Sequence, residues 1–592
     1  MQLVTIDWII ISAFFAISLG IGLWVAKSSN KDVSEYFAAG KNMPWWLLGV
    51  SMVATTFSTD TPNLVTDIVR QHGVSGNWSW WAFLFTGMLT VFVYARLWKR
   101  TGILTDVEFY ELRYSGKIAS FLRGFRAVYL GLIFNVMIMA TVTLAAIKIG
   151  GVLLGISPIQ TVLIAGTVTV IYSSLGGLKG VLITDFIQFF LSITGAIIAA
   201  VVSLQHPMVN GLSNLISHEN VVDKLAFFPS LDNPELLLSI LLVPLLVQWW
   251  SVWYPGAEPG GGGYIAQRMF AAKTENHAMK AVLFFNVAHY ALRPWPWIIV
   301  ALCSLIVFPD LVSLENAFPA SAAVINHDLA YPAMLTFIPA GLLGIVITSL
   351  IAAYMSTIST HLNWGASYLV NDFYSRYLKP DASQKELLFV GRIITALLMI
   401  LSMILALNLE NALGAFQILL QIGAGTGLIF ILRWFWWRVN AQGEIAAMLI
   451  SFLVAIYFQF GHSALGFEPL AGYLQLSIGV AITSIGWIVV VLVTPAADNQ
   501  TLIDFVKLVK PGGPGWKKII QLMPKSTQGQ LHEKWNVPKA ILMMLIASVG
   551  VYCFMIGTGL IIYAQLVQGL LLYAVSTVAI LWILKLWKTE KL

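Results

Sequence analysis

Residues 47–69, LLGVSMVATTFSTDTPNLVTDIV, form an apolar stretch of membrane-spanning length with a polar centre. Six consecutive polar or helix-breaking residues interrupt it: Ser58, Thr59, Asp60, Thr61, Pro62 and Asn63. An unpaired peptide group in lipid costs several kcal/mol, so irregular backbone at membrane depth is tolerated only where it is buried in protein or lines a wet cavity. The stretch therefore predicts a membrane helix that is broken in its middle.

A second interrupted stretch, residues 236–256, carries Pro244 within it and Pro255 at its end. Broken spans at corresponding positions of two halves indicate a transporter's binding site. Residues 45–204 and 236–437 would be such halves, with five helices each and the second inverted relative to the first. The alternative is that Pro244 is an ordinary kink and that the Ser and Thr residues only pack helices together. Composition alone leaves both readings open.

The whole chain has the composition of a polytopic membrane protein. Its 592 residues are 58% hydrophobic and 10% charged, whereas a soluble domain has about a quarter charged residues. Apolar runs long enough to cross a bilayer recur throughout, and each crossing needs about 20 residues. We expect an all-α protein with about 15 transmembrane helices. Outside the two halves, the predicted segments are an N-terminal outer helix and loop at 1–44, an extracellular loop at 205–235, peripheral helices at 438–494, a basic loop at 495–538 and C-terminal helices at 539–592.

Lys and Arg residues concentrate in alternate loops, and positive loops stay cytoplasmic. This predicts a multi-pass plasma-membrane protein with its N-terminus outside and its C-terminus in the cytoplasm. The net charge of +6 is thus a topology signal and not a nucleic-acid footprint. No nucleic acid and no obligate protein partner are implied, and the 495–538 loop is expected to lie on anionic lipid. Cys303 and Cys553 fall inside predicted spans, so we expect neither a disulfide nor a metal site of their own.

The ninth predicted span packs four hydroxyl residues into five positions, STIST at 356–360. On a helix, Ser356 lies one turn from Ser359 and Thr360, whereas Thr357 points elsewhere, beside the carbonyl of Ala353. Two small oxygen clusters result. A bare sodium ion prefers about five or six hard oxygen ligands, and carbonyls freed at a broken helix supply those that hydroxyls do not. The span therefore favours sodium binding.

Asp185, in GGLKGVLITDFIQ, is the most informative charge in the chain. An ionisable residue near a membrane segment is a functional-site hypothesis. The alternative is that Asp185 caps the sixth span at the cytoplasmic interface.

Four segments together resemble the sodium:solute symporter family, which includes sodium/glucose, sodium/proline and sodium/sialic acid cotransporters. They are EYFAAGKNMPWWLLGVSMVATTFS, SSLGGLKGVLITDFIQ, YIAQRMFAAKT and LIAAYMSTISTHLNWGASYLVNDFYSRY. The resemblance runs in order over roughly residues 5–462. It implies a LeuT-type inverted-repeat core of five plus five helices, and it implies sodium-coupled uptake of a small organic solute.

The resemblance also implies which residues bind sodium. The principal site would use the carbonyls of Ala54 and Phe57 together with Ala353, Ser356 and Thr357. A second site, present in only some members, would use Asp185, Ser359 and Thr360. Because all of these are present, two sodium ions per cycle are an open possibility beside one.

The implied solute pocket matches the family less well. The sugar-carrying branch has Gln and Glu where this chain has Thr61 and Ser79, and His289 stands where that branch has Lys. Ser58, Gln417 and Gln421 are further polar candidates, and the clustered tryptophans of spans three and seven suit a sugar face or a cation. No buried arginine is expected near the broken helices, which argues against a strongly anionic solute.

Residues 254–263, YPGAEPGGGG, contain a glycine run but no nucleotide motif, since a preceding strand and a following GK[ST] are absent. The run is expected to leave the membrane and lead through YIAQRMFAAKT, an amphipathic connection, to the next span. Its glycines would form a hinge at an inner gate whose aromatic plug is Trp250 or Trp253. The alternative is a slack surface loop.

The sequence thus predicts a sodium-coupled symporter that imports a small solute by alternating access, with a sugar or a related polar solute favoured. The alternatives are amino-acid or carboxylate uptake, and a solute sensor without net transport. An enzyme is not expected, because no nucleophile, base and orienting group occur at recognisable spacing.

Overall fold

The computed structural model describes residues 3–29, 32–252, 258–319, 325–409, 419–524, 528 and 535–589. These residues form helices and no β-strand, as the composition predicted. The principal helices are α1 (Thr5–Ser29), α2 (Val33–Ala38), α3 (Trp45–Phe57), α4 (Asp60–His72), α5 (Val74–Thr101), α6 (Gly116–Leu154), α7 (Pro158–Ser174), α8 (Gly176–Gln205), α9 (Pro234–Trp250), α10 (Gly263–Ala271), α11 (Glu275–Val307), α12 (Leu342–Leu378), α13 (Gln384–Ala406), α14 (Gly427–Leu432), α15 (Ala441–Ala464), α16 (Gly472–Val493), α17 (Asn499–Val509), α18 (Val537–Ile562) and α19 (Leu566–Thr589).

The first predicted break is present. Helix α3 ends at Phe57 and α4 begins at Asp60, and between them Ser58 has a φ of 25°. A non-glycine residue with positive φ is uncommon, and here it turns the chain between two half-helices of 13 residues each.

The second span is also interrupted, but not at Pro244 as predicted, because Pro244 lies within α9. Helix α9 ends at Trp250, and α10 begins at Gly263. Helix α10 is not the amphipathic connection that was predicted, because eight of its nine residues are buried. It lies against α3 and α12, so the apolar and polar faces of YIAQRMFA are both covered by protein.

The inner halves of the two broken spans run side by side in opposite directions. Met43, just before α3, lies next to the last residue of α10, and its N–H donates a hydrogen bond of 2.9 Å to the Ala271 carbonyl. Further along, Arg268 of α10 reaches Ser51 of α3. An antiparallel pairing of corresponding half-helices is what an inverted repeat produces.

The remaining helices enclose this pair. Helix α8 packs along α3 on one side and along α12 on the other, through Asp185 and Ser192 respectively. Helices α7 and α8 meet at Gly177, whose φ of 53° brings it against the Tyr36 carbonyl. Large apolar side chains such as Trp24, Leu453 and Leu571 are exposed on α1, α15 and α19, as expected for helices that face lipid.

Eleven helices among the described residues are long and apolar enough to cross a membrane. The predicted number of about 15 transmembrane helices is therefore not confirmed. The shortfall has a physical reason. Breaks and bends leave three further apolar helices shorter, namely Trp45–Phe57, Pro158–Ser174 and Pro234–Trp250, and the eleventh predicted span begins among residues that the structure does not describe. The predicted segment boundaries stay predictions.

The basic 495–538 segment differs in part from its prediction as a lipid-bound loop. Its described residues include α17, and Phe505 of that helix stacks on Trp516, with ring centroids 5.4 Å apart. Trp516 is fully buried and donates a hydrogen bond of 2.8 Å to the Trp434 carbonyl. Apolar packing beneath the bundle, and not lipid charge alone, holds this segment.

Candidate ion and solute site

The first predicted oxygen cluster lies where α12 meets the end of α3. The Thr357 hydroxyl donates to the Ala353 carbonyl at 3.1 Å and to the Thr55 carbonyl at 2.7 Å. The first contact is the one that helical spacing predicted, and the second ties α12 to the broken span. Ala54 and Phe57 are both buried at the same place.

The end of α3 explains why ligands are available here. A helix leaves its last four carbonyls without intrahelical donors, which for α3 are those of residues 54–57. Side chains bind two of them, since Thr357 contacts the Thr55 carbonyl and Arg293 contacts the Thr56 carbonyl. The other two, of Ala54 and Phe57, are the carbonyls that the family resemblance assigns to sodium.

The second cluster surrounds Asp185, which is completely buried. Its carboxylate accepts hydrogen bonds from Ser356 at 2.6 Å and from Ser51. Asp185 is therefore a residue of the protein interior, and the predicted alternative of an interfacial cap is wrong. Ser356 turns toward Asp185 and away from Thr357, so it joins the second cluster. Ser359 donates to the Ser356 carbonyl at 3.1 Å.

A guanidinium group stands in this second cluster. The Nη2 of Arg268 donates to the Thr360 hydroxyl at 2.7 Å and lies 3.7 Å from Asp185 Oδ2. Its Nε and Nη2 also donate to the Ser51 hydroxyl, at 3.2 and 3.1 Å. The Thr360 hydroxyl in turn lies 3.0 Å from that of Thr55.

Between the break in α3–α4 and the surrounding helices lies a central cavity of about 140 Å³. Ser58, Thr61 and His289 line it, as predicted for a solute pocket, and so do Asp60, Trp80, Tyr264 and Arg293. The side-chain oxygens Ser58 Oγ and Asp60 Oδ1 are buried there without a hydrogen-bond partner among the described residues. Thr357 and His361 complete the wall toward the first ion cluster.

Two other predicted pocket residues, Gln421 and Ser79, are not among the residues that line this cavity. Gln421 faces a peripheral helix, where its amide donates to Gln475 at 2.7 Å. Ser79 does not line the cavity; its carbonyl accepts a hydrogen bond from the Gln248 amide. Gln417 lies outside the described residues, so its placement stays a prediction.

The predicted absence of a buried arginine near the broken helices is wrong. Arg293, 2% exposed, donates to the Thr56 carbonyl and, at 3.1 Å, to the Thr56 hydroxyl. Its Nη2 lies 3.2 Å from His289 Nε2. Because arginine is only a donor, that nitrogen accepts, and the proton of His289 is on Nδ1, 3.0 Å from the Thr56 hydroxyl.

On the side of the cavity that the topology prediction places outside, a buried ion pair joins α6 to the segment before α12. Lys148 Nζ lies 2.6 Å from Asp328 Oδ2, and the two side chains are 1% and 3% exposed. Burial raises the pKa of the Asp328 carboxyl above its ordinary value, although Lys148 acts to lower it. The pair holds the outer ends of these elements together.

On the opposite side, the glycine run is buried inside the bundle, so the predicted slack surface loop is wrong. Its Gly260 carbonyl accepts a hydrogen bond of 2.8 Å from Trp98 of α5. The N–H of Gly263 donates to Asp106 at 2.9 Å, which caps the start of α10. Gly260 has a φ of 93° and lies against the Tyr94 ring, where a side chain would collide at 2.9 Å.

Glu258 anchors this segment. Its carboxylate pairs with Arg126 and, at 2.7 Å, with Arg433, and the three side chains are 3%, 4% and 2% exposed. Arg433 also lies 3.5 Å from Glu444. We call residues 258–263 the inner plug, since they lie between α5 and α14 on the side that the topology prediction places in the cytoplasm.

Neither predicted aromatic plug residue is seen in that position. Trp250 packs against the apolar cluster of Ala424, Leu476 and Val480, toward the peripheral helix α16. Trp253 lies outside the described residues. Tyr264, in the first turn of α10 after the glycine run, instead contributes an aromatic side chain to the cavity wall, as Trp80 does from α5.

Sequence reasoning missed several residues of the site, chiefly Asp60, Arg293 and Arg268. Two of them carried a usable signal. Asp60 lies in the polar centre of the first interrupted span, and Arg293 is a charge inside the eighth, where an ionisable residue indicates function. Arg268 gave no such signal, because α10 was predicted to lie outside the membrane.

Comparisons with known proteins agree with this geometry. The described chain superposes on a Na⁺-coupled sialic acid symporter with a TM-score of 0.65, at 20% identity, covering 84% of this chain and all of that one. The chain is 26% identical over 483 residues to the sodium/glucose cotransporter of Vibrio parahaemolyticus, covering 77% of this chain and 85% of that protein. It is also 26% identical over 481 residues to the sodium/myo-inositol cotransporter 2 of Oryctolagus cuniculus, covering 76% and 69%.

The sequence pattern that defines the sodium:solute symporter family matches residues 36–451, which is more than half of the chain. The match confirms the resemblance drawn from the four motifs. It also confirms that the chain is a transporter and not an enzyme, and that sodium is the coupling ion. The chain belongs to the sodium:solute symporter family.

Proposed function

We propose that this protein is a sodium-coupled symporter that imports a neutral, polyhydroxylated solute of the sugar or polyol class. The observation that carries this proposal is the Ser58 hydroxyl and the Asp60 carboxylate, which lie together on the wall of the central cavity. A carboxylate oxygen and a hydroxyl accept hydrogen bonds from the hydroxyl groups of a sugar. A hydrogen bond to a charged group contributes about 1.5–3 kcal/mol, so a donor-rich solute binds favourably.

The two charges of the cavity do not require a charged solute. Arg293 lies at the C-terminal end of α3, and Asp60 is the first residue of α4. The C-terminus of a helix carries a partial negative charge and the N-terminus a partial positive one, each equivalent to roughly half an elementary charge. Each half-helix therefore offsets the side chain at its end, and the cavity stays close to neutral.

Trp80 supplies the second feature of a sugar site. Its indole lines the cavity and stacks near Tyr290 at 5.8 Å between ring centroids. Aromatic faces suit the apolar face of a sugar ring. Relatives in the family carry glucose and myo-inositol by name, which supports the same class.

Sodium would bind next to this cavity, between the end of α3 and α12. We assign the principal site to the carbonyls of Ala54, Phe57 and Ala353 with the Thr357 hydroxyl. Ser356 would contribute from its position beside Asp185. Bound sodium would join the two half-helices to α12 and complete the solute pocket. One ion that moves down about 100 mV releases about 2.3 kcal/mol, which supports roughly fifty-fold accumulation of a neutral solute.

Alternating access would use the two closures described above. The Lys148–Asp328 pair would close the outer side and the inner plug the cytoplasmic side, with the N-terminus outside and the C-terminus in the cytoplasm. Solute and sodium would enter when the outer pair separates and leave when the plug withdraws. The cavity of about 140 Å³ is smaller than a typical ligand pocket, as expected for a state in which both sides are closed.

A second candidate is uptake of an amino acid or carboxylate, because Arg293 and Asp60 could each meet an ion of opposite charge. The observation that favours it is the Arg293 guanidinium on the cavity wall. A sensor without net transport is a third possibility, and counterflow distinguishes it, since a sensor exchanges no labelled solute.

The test is uptake into proteoliposomes under a sodium gradient, with labelled glucose and myo-inositol compared with amino acids and dicarboxylates. Sodium-driven uptake and counterflow of a neutral polyol are expected. Asp60→Asn should raise the KM for that polyol by roughly ten-fold or more through loss of a charged acceptor, with sodium half-saturation changed little. Uptake of an amino acid but of no polyol would refute the neutral-solute assignment.

A further inference from the structure

We infer that Arg268 is a tethered cation that occupies the Asp185 cluster in the absence of sodium and competes with sodium for it. The inference rests on the proposed sodium coupling and goes beyond it. The cluster is the predicted second sodium site, and the structure places a guanidinium within it.

The contacts of Arg268 are those of a bound cation. Its nitrogens meet the Ser51 hydroxyl, the Thr360 hydroxyl and, at 3.7 Å, the Asp185 carboxylate. All four side chains are buried, with exposures of 0% for Arg268 and Asp185. A carboxylate without a counter-charge is strongly disfavoured in such a setting, so Arg268 supplies the positive charge that the site requires.

Sodium requires the same oxygens. The Thr360 hydroxyl lies 2.7 Å and the Asp185 carboxylate 3.7 Å from Arg268 Nη2, so a sodium ion bound by both oxygens would take the place of the guanidinium. Ion entry would therefore displace Arg268, and two positive charges around one buried carboxylate would repel each other. The two cations exclude one another.

The position of Arg268 gives this exchange a mechanical consequence. The residue lies on α10, the inner half of the second broken span, one helical turn after Tyr264 of the cavity wall and the Gly263 end of the plug. A displaced guanidinium moves α10 away from α3, to which Arg268 is linked through the Ser51 hydroxyl. Sodium binding at Asp185 would thereby act on the inner plug.

The experiment is a sodium titration of purified protein, read by thermal stability and by tryptophan fluorescence, next to sodium-dependent uptake. Arg268→Gln removes the competing charge and leaves Asp185 in place. The sodium concentration for half-maximal stabilisation should fall by at least about ten-fold. Arg268→Lys keeps a cation and should stay near the parent value. Arg70→Gln removes a buried arginine elsewhere in the bundle and should leave the sodium response unchanged.

Two further variants keep the inference open to refutation if Arg268→Gln does not fold. Ser51→Ala removes hydrogen bonds that hold Arg268, and it should tighten sodium binding by roughly five-fold. In Asp185→Asn combined with Ser51→Ala that gain should vanish. Unchanged or weaker sodium binding in Arg268→Gln or Ser51→Ala would overturn the inference and make Arg268 a structural support. A parent protein without any sodium response would instead refute the proposed sodium coupling.

Discussion

Exchanging Glu258 for glutamine tests whether the ion pairs of Glu258 hold the inner plug in place. The substitution removes the charge that Arg126 and Arg433 share and keeps the shape of the side chain. Removing one partner of a buried ion pair costs about 3–5 kcal/mol. Arg433 retains Glu444 at 3.5 Å, so we expect the lower end, about 3 kcal/mol, which corresponds to roughly a hundred-fold in an equilibrium constant. If the contact exists only while the plug is in place, the inward-open population rises by that factor.

The assay measures access from the cytoplasm. Cys303 and Cys553 are first replaced, and Thr90, which is buried against Gly261, is changed to cysteine as the probe. A membrane-impermeant thiol reagent applied to inside-out vesicles should label the Glu258→Gln protein roughly a hundred times faster than its parent. Glu275→Gln serves as the control, because its pair with Arg100 is partly exposed at 39% and 20% and such pairs contribute about 1 kcal/mol at most. Equal labelling rates in Glu258→Gln and its parent would show that the plug stays in place without the Glu258 ion pairs.

Three further predictions follow from other contacts. Thr357→Ala should raise the sodium half-saturation of uptake by roughly ten-fold, through loss of a hydroxyl that joins α12 to α3; an unchanged value would contradict the principal site. Gly260→Ala should slow turnover without altering sodium affinity, because a methyl group at that φ meets Tyr94; normal turnover would show that the plug does not move. Burial raises the pKa of Asp328, so a fall in external pH should protonate its carboxyl and break its pair with Lys148. The rate at which a thiol reagent labels a cysteine introduced on the outer side of the cavity should therefore rise as the external pH falls. Asp328→Asn should remove that pH dependence.

Periodicity and hydropathy could predict the helical membrane fold and both interrupted spans, because these depend on local composition. Spacing alone also placed Thr357 beside Ala353, since both lie on one regular helix. The sodium clusters needed more than spacing. Whether Ser356 faces Thr357 or Asp185 depends on the rotation of α12 against α8, which is set by packing between distant residues.

Two of the errors in the sequence reading, the predicted surface connection and the missed Arg268, come from the placement of α10. YIAQRMFA reads as amphipathic because it contains Gln267 and Arg268, and an amphipathic segment is usually placed at a surface. Here the polar side chains face buried partners: Gln267 donates to Asn363 at 2.9 Å, and Arg268 meets the Asp185 cluster. Periodicity reports that one face is polar, but it cannot report whether that face meets water or other polar groups.

The antiparallel pairing of the two inner half-helices has a consequence for how the chain is made. Ser51 and Arg268, which contact each other, are 217 residues apart; at about 5–20 residues per second, the ribosome needs roughly 10–45 s to supply the second after the first. During that time Ser51 has Asp185 for a partner, but the rest of the polar face of α3 has none of its final contacts. The incomplete bundle must therefore remain in the membrane with these polar groups unpaired. Translation that stops before residue 263 yields a fragment in which that face of α3 never gains its contacts with α10. We expect such a fragment to lack both the ion clusters and the solute cavity, because α10 and α12 supply part of each.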